Sequence, residues 1–102
     1  MTEPFVIAPE GELDLDAARA LAPELNEAAD AAYPRLIVDL SRVTFVDSSG
    51  LAAIVQAHQR LQRQGRDVKV VAPNGSAAAV LIDLAGLRSS LAVCASRPAA
   101  MG

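Results

Sequence analysis

One segment gathers side chains that could do chemistry: Asp47-Ser48-Ser49-Gly50. It follows the β-branched run Val43-Thr44-Phe45-Val46. It precedes an apolar stripe at helical spacing, Leu51, Ile54, Val55, His58 and Leu61. Two hydroxyls and a carboxylate therefore stand at a strand-to-helix junction. The first N–H groups of a helix lack internal partners, and the macrodipole places about half a positive charge there. Hydroxyls at such a point are presented beside an anion-favouring site. Aspartate and serine are also the residues that cap helices. Both readings can hold together, with one side chain capping while another stays exposed.

Nucleophilic catalysis lacks its partners. A G-x-S-x-G elbow needs glycine two residues before the serine, and Val46 stands there. The sole histidine, His58, lies ten residues further along the same helix, about 15 Å away at 1.5 Å per residue. It cannot take a proton from Ser48, and its place on the apolar stripe reads as packing. No G-x-x-x-x-G-K-[ST] or G-x-G-x-x-G occurs, so a phosphate-cradling loop is not expected. One histidine and one cysteine, Cys94, cannot build a nitrogen and sulfur metal site. Asp14, Asp39 and Asp47 could meet on a cation only if their strands and loops converge; capping is the simpler role. Arg60, Arg63 and Arg66 stand where cations complement a helix C-terminus. No cofactor is expected.

The elements that must position Ser48 can be read from periodicity. Phe5-Val6-Ile7-Ala8 predicts a strand ended by Pro9, and Gly11 to Asp14 a turn or a second short strand. Asp14 or Asp16 can cap a helix whose apolar stripe includes Ala18, Leu21, Ala22, Leu25, Ala28, Ala29 and Ala32. Pro23 inside it implies a kink or a restart. Leu36-Ile37-Val38-Asp39-Leu40 lacks alternation, which suits a strand buried on both faces. Val43 to Val46 continues that strand past Ser41-Arg42 or forms a short extension of it. Gly65 ends the second helix. Val68 to Val71 is the next strand, Ser76 caps a third helix closed by Gly86, and Leu91 to Cys94 is a last short strand. Residues 95–102 read as a loosely held, flexible tail. Strands alternating with helices predict an α/β fold, a mixed four- to five-stranded sheet with helices mainly on one face.

The 102 residues, 52% hydrophobic with only three aromatics, fit one domain whose core is Ala, Leu, Val and Ile. A net charge of −3 with a single lysine argues against a nucleic-acid surface. No apolar run approaches the roughly 20 residues of a membrane span, and Met1-Thr2-Glu3-Pro4 does not open a signal peptide. A single cysteine excludes an internal disulfide. A cytoplasmic protein, monomeric or weakly dimeric, is expected.

Gly11-Glu12-Leu13-Asp14, then Leu36 to Ser41, then Val43 to Leu51 resemble the STAS domain, and among its members the bacterial anti-sigma factor antagonists. Leu81-Ile82-Asp83-Leu84-Ala85-Gly86-Leu87 is similar to that family's third-helix motif. The resemblance runs from about Gly11 to Val93, and Asp39 through Leu51 is its specific part. It implies a STAS-like fold and a partner-switching module without enzymatic activity of its own. It implies that Ser48 is the residue phosphorylated by a cognate anti-sigma factor, itself a serine kinase. It also implies that a phosphatase resets the switch, and that the unphosphorylated form holds the anti-sigma factor and frees a sigma factor. Glu12, Asp14, Asp47, Ser48, Ser49, Gly50 and Leu51 are then the expected partner-binding residues. The alternatives are a non-switching STAS scaffold or a regulatory subunit of a transporter or signalling assembly. An enzyme would rest on Ser48 alone.

Overall fold

In the computed structural model, which describes residues 3–31 and 33–101, the apolar run Leu36-Ile37-Val38 and the aspartate after it form a strand buried along its whole length. Met1, Thr2, Ala32 and Gly102 lie outside the described residues. In chain order the elements are β1 (Phe5–Ile7), β2 (Gly11–Leu13), α1 (Leu15–Asp30), β3 (Leu36–Asp39), β4 (Val43–Val46), α2 (Ser48–Arg63), β5 (Val68–Val71), α3 (Ala77–Leu84), β6 (Val93–Cys94) and α4 (Arg97–Met101). Strands β1, β3, β5 and β6 form one sheet in that order, and β2 pairs with β4 in a second. Every ladder among the described residues is parallel. The α/β class is as the sequence led us to expect; among the described residues the strands divide into a sheet of four and a pair.

Strand alternation sorts the side chains. Phe5, Ile7, Leu36, Val38, Leu40, Val68, Val70 and Val93 join the main core under α1, α2 and α3. Val6, Ile37, Val71 and Cys94 point the other way, with Ala100 packed against them. Of the stripes foreseen for α1 and α2, Ala18, Leu21, Leu25 and Ala28, and Leu51, Ile54, His58 and Leu61, are buried, while Ala22, Ala29 and Val55 are half-buried. Pro23 does not restart the helix; α1 runs unbroken from Leu15 to Asp30 with the proline inside it. Gly65, at φ 78°, turns the chain out of α2, as a left-handed position asks of glycine.

Two expectations need correction. Val43 to Val46 does not extend β3. The Asp39 carboxylate accepts the Ser41 N–H at 2.9 Å, and Val43 N–H donates to the Leu40 carbonyl at 3.2 Å. That turn sends β4 off to pair with β2. Residues 95–101 are not a loose tail either. α4 lies on the open face of the sheet, with Ala100 fully buried. Arg97 Nε donates to Asp39 Oδ2 at 2.5 Å, and Arg35 Nη1 to the Ala100 carbonyl at 2.7 Å.

Asp39 is only 3% exposed, so its charge depends on this pair. Burial alone would raise its pKa, but the bonds from Arg97 and Ser41 outweigh it and hold the carboxyl below its ordinary value of 3.8. A depressed carboxylate stabilises the fold at pH above the ordinary value, and that contribution is lost as pH falls through the lower folded value. Arg97→Ala is expected to cost about 1–2 kcal/mol, because the bond is charge-assisted but half-exposed at its arginine end. The acid limb of the stability curve should move to higher pH. Urea unfolding across the acid range checks both.

Candidate functional site

The register of the small sheet builds the site. Leu13 stands opposite Val46 at the ends of β2 and β4. The next residue on each strand, Asp14 and Asp47, is therefore brought alongside the other, and each is an N-cap. Asp14 Oδ1 accepts the Ala17 N–H at 2.8 Å, starting α1. Asp47 Oδ1 accepts the Gly50 N–H at 2.7 Å, starting α2. Two helix N-termini thus open side by side at one end of the molecule, and their positive dipole ends add there. Asp47 N–H reaches back to the Leu13 carbonyl at 3.4 Å, tying the second start to the first strand.

Ser48 and Ser49, the first two residues of α2, are exposed, as are Glu12 and Asp14; Asp47 is half-buried. The capping question left open by the sequence is answered by Asp47 and Asp14, so neither Ser48 nor Asp16 is a cap. Neither serine hydroxyl bonds another described residue. Gly50 and Leu51, counted from sequence among the partner-binding residues, are buried. They cannot present side chains to a partner; their part is to seat the turn. A Cβ on Gly50 would stand 2.1 Å from the Leu13 carbonyl oxygen, so only glycine lets α2 start this close to β2.

Among the described residues, neither His58 nor Asp47 is placed to serve Ser48 as a base. His58 is 2% exposed and bonded to the Val68 carbonyl inside the core. Asp47 is committed to Gly50. The three aspartates weighed as a cation site do not converge: Asp14 and Asp47 are spent on neighbouring helix caps, while Asp39 is on the far face with Arg97. No cluster of three or more histidine, cysteine or carboxylate ligands exists among the described residues. No described helix is long and apolar enough to cross a membrane. The site offers an exposed hydroxyl at a helix start, next to the capping Asp47, to an external reagent.

Two neighbouring features were not foreseen from sequence. Phe45, on β4 just ahead of the site, is 53% exposed. No local signal marked it: alternation along β4 would set Phe45 on the same face as the buried Val43, yet it is exposed. A groove between α1 and α2 begins at Ser49, with Ala18, Ala22 and Ala53 in its lining and Arg19 and Arg60 beside them. Its small residues sit four apart on both helices, which is how two helices come close.

The STAS domain family model matches residues 2–100. Among solved structures, the chain is similar to an anti-sigma factor antagonist from Mycobacterium paratuberculosis, at 29% identity and a TM-score of 0.79, covering 94% of this chain and 80% of that one. It is similar in fold to a sulfate transporter family protein from Wolinella succinogenes, at 12% identity and a TM-score of 0.79, covering 99% and 85%. It is also similar in fold to the Bacillus cell-fate determinant SpoIIAA in its phosphorylated form, at 22% identity and a TM-score of 0.65, covering 92% and 83%.

Proposed function

The chain belongs to the STAS domain family, and from that premise we propose that it is an anti-sigma factor antagonist switched by phosphorylation of Ser48. Unphosphorylated, it binds an anti-sigma factor that is also a serine kinase, and a sigma factor is released. Phosphorylation of Ser48 ends that binding, and a phosphatase restores it. The protein works as a cytoplasmic binding module, monomeric or weakly dimeric, and not as an enzyme. Glu12, Asp14, Asp47, Ser48 and Ser49 form the surface that meets the partner.

The observation that carries this reading is the division of labour at the start of α2. Asp47 does the capping, so Ser48 has no structural task and its hydroxyl is exposed. A serine at a helix start is expected to be a cap; one relieved of that duty is free to be modified. The α2 dipole tolerates the added negative charge within the domain, a contribution of about 0.3–2 kcal/mol. The likeness to the mycobacterial antagonist gives the same reading further support.

A second reading is a non-switching STAS subunit of a transporter or signalling assembly, which the fold shared with a sulfate transporter family protein keeps in view. The two part in one experiment. With its cognate kinase and ATP, the wild type is expected to gain one phosphoryl group by intact mass. Ser49→Ala should do the same, and Ser48→Ala should gain none. An unmodified wild type, with Ser48→Ala co-purifying equally well with a transport protein, would select the second reading.

A further inference from the structure

His58 sits midway along the helix that presents Ser48, and it is the one histidine of the chain. Its Nε2 lies 3.0 Å from the Val68 carbonyl oxygen. A carbonyl can only accept, so Nε2 carries the proton and Nδ1 the lone pair. Nδ1 is buried and has no hydrogen-bond partner. The void of about 10 Å³ beside the ring is lined by Leu25 of α1, Val38 of β3, Ile54 and Leu61 of α2, and Val68 and Val70 of β5.

No carboxylate among the described residues can compensate a charge there. On α1, Asp16, Arg19, Glu24, Glu27 and Asp30 are exposed. On β3, Asp39 points to the far face and is bound to Arg97. On β5, Lys69 alternates away from Val68 and Val70, onto that same far face. On α2 itself, Arg63 is exposed and Arg60 bonds Asn26 of α1. In the turn after α2, Arg66 bonds the Tyr33 carbonyl and Asp67 pairs with Arg35. Near Leu91, Arg88 pairs with Asp83. An imidazolium at this spot would be a buried charge without a counter-charge, which is strongly disfavoured.

We propose that His58 is an acid-sensitive pin: α2 is held against β5 only while this ring is neutral, so mild acidification loosens the helix that carries Ser48. Burial lowers the pKa of the ring below its ordinary value of 6.5, and the backbone carbonyls of Val68 and Leu91 favour the charged form without offsetting burial. The folded protein thus binds fewer protons than the unfolded chain. The stabilisation is complete above the ordinary value and is lost as pH falls below it. With the folded ring held neutral, the ratio of folded to unfolded protein falls by up to about tenfold between about pH 7.5 and 5.5.

The test uses the unphosphorylated protein alone, so it stands or falls apart from the role of Ser48. Urea unfolding at both pH values compares the wild type with His58→Leu, which suits the apolar lining, and with His58→Gln, which keeps a donor for Val68. The wild type is expected to lose up to about tenfold more of its folded-to-unfolded ratio on acidification than either variant. Protection of the α2 amides, corrected for intrinsic exchange, should fall with it in the wild type. Ring NMR of the wild type should show a neutral Nε2–H tautomer with no titration step near the ordinary value. Parallel pH profiles in all three proteins, unchanged α2 protection, or a folded ring that titrates normally would each overturn the proposal. The ring signals decide the matter even where a variant fails to fold.

Discussion

Gly50→Ala is expected to destabilise the domain by about 2–4 kcal/mol, a large share of the 5–15 kcal/mol typical of a small domain. The reason is local and steric. The added methyl would meet the Leu13 carbonyl oxygen at 2.1 Å, its carbon at 2.9 Å and the Asp14 carbonyl carbon at 3.2 Å. All three are backbone atoms at the end of β2, so no side chain can swing aside. The first turn of α2 must lift from the strand, and the bond from Asp47 N–H to Leu13 and the cap from Asp47 to Gly50 go with it. Loss of a cap alone costs about 0.5–2 kcal/mol. Alanine's better helix propensity returns only about 1 kcal/mol. Gly65→Ala is the fitting comparison. Nothing lies within 4 Å of its Cβ, and its φ of 78° is the only objection, so it should cost about 1 kcal/mol. Urea unfolding of both variants checks the order. A Gly50→Ala protein as stable as the wild type would mean that α2 does not rest on β2, and the exposure of Ser48 would lose its structural basis.

The same glycine shows how far the sequence could be read. That Asp47-Ser48-Ser49-Gly50 opens a helix followed from the β-branched run before it and the 3.6-residue stripe after it, both local signals. The cap Ser76 was legible for the same reason, and Asp14 as one of two candidates with Asp16: a short polar side chain just ahead of an apolar stripe bonds a backbone group three residues on. What stayed hidden depends on residues distant in the chain. Nothing in Gly50 says that it faces Leu13, 37 positions earlier, because close approach is a property of register between β2 and β4 and not of either segment. The departure of β4 from β3 turns on the Asp39 side chain holding Ser41, where the sequence offered only a polar interruption. α4 is five residues without an apolar period of its own. It is fixed by Arg97 and Ala100 reaching Asp39 and Arg35, 58 and 65 positions away. Exposure of Phe45 was equally out of reach, since an aromatic in a β-branched run is usually core.

Phosphorylation of Ser48 is expected to weaken binding to the anti-sigma kinase by about a hundredfold or more, while the domain's own stability changes by about 2 kcal/mol or less. The two numbers differ because the phosphate meets two environments. In the free protein it stands in water at a helix start, with the dipole in its favour and the unbonded N–H groups of the first turn nearby. In the complex it would be enclosed beside Glu12, Asp14 and Asp47, three carboxylates already on that surface, of which Asp14 and Asp47 have taken the Ala17 and Gly50 N–H donors. Burying a charge of about −1.5 to −2 there costs several kcal/mol in desolvation and like-charge repulsion, and each 1.4 kcal/mol is about tenfold in Kd. Ser48→Ala should bind within about fivefold of wild type, since it loses one exposed hydroxyl and no cap. Ser48→Asp should fall between, because it brings one charge and less bulk. Calorimetric titration of each form against the kinase, paired with thermal unfolding of each form alone, separates the two effects. A phosphorylated protein that binds as well as the wild type would end the switching reading. One that loses binding only because it has unfolded would replace electrostatic exclusion with a folding switch.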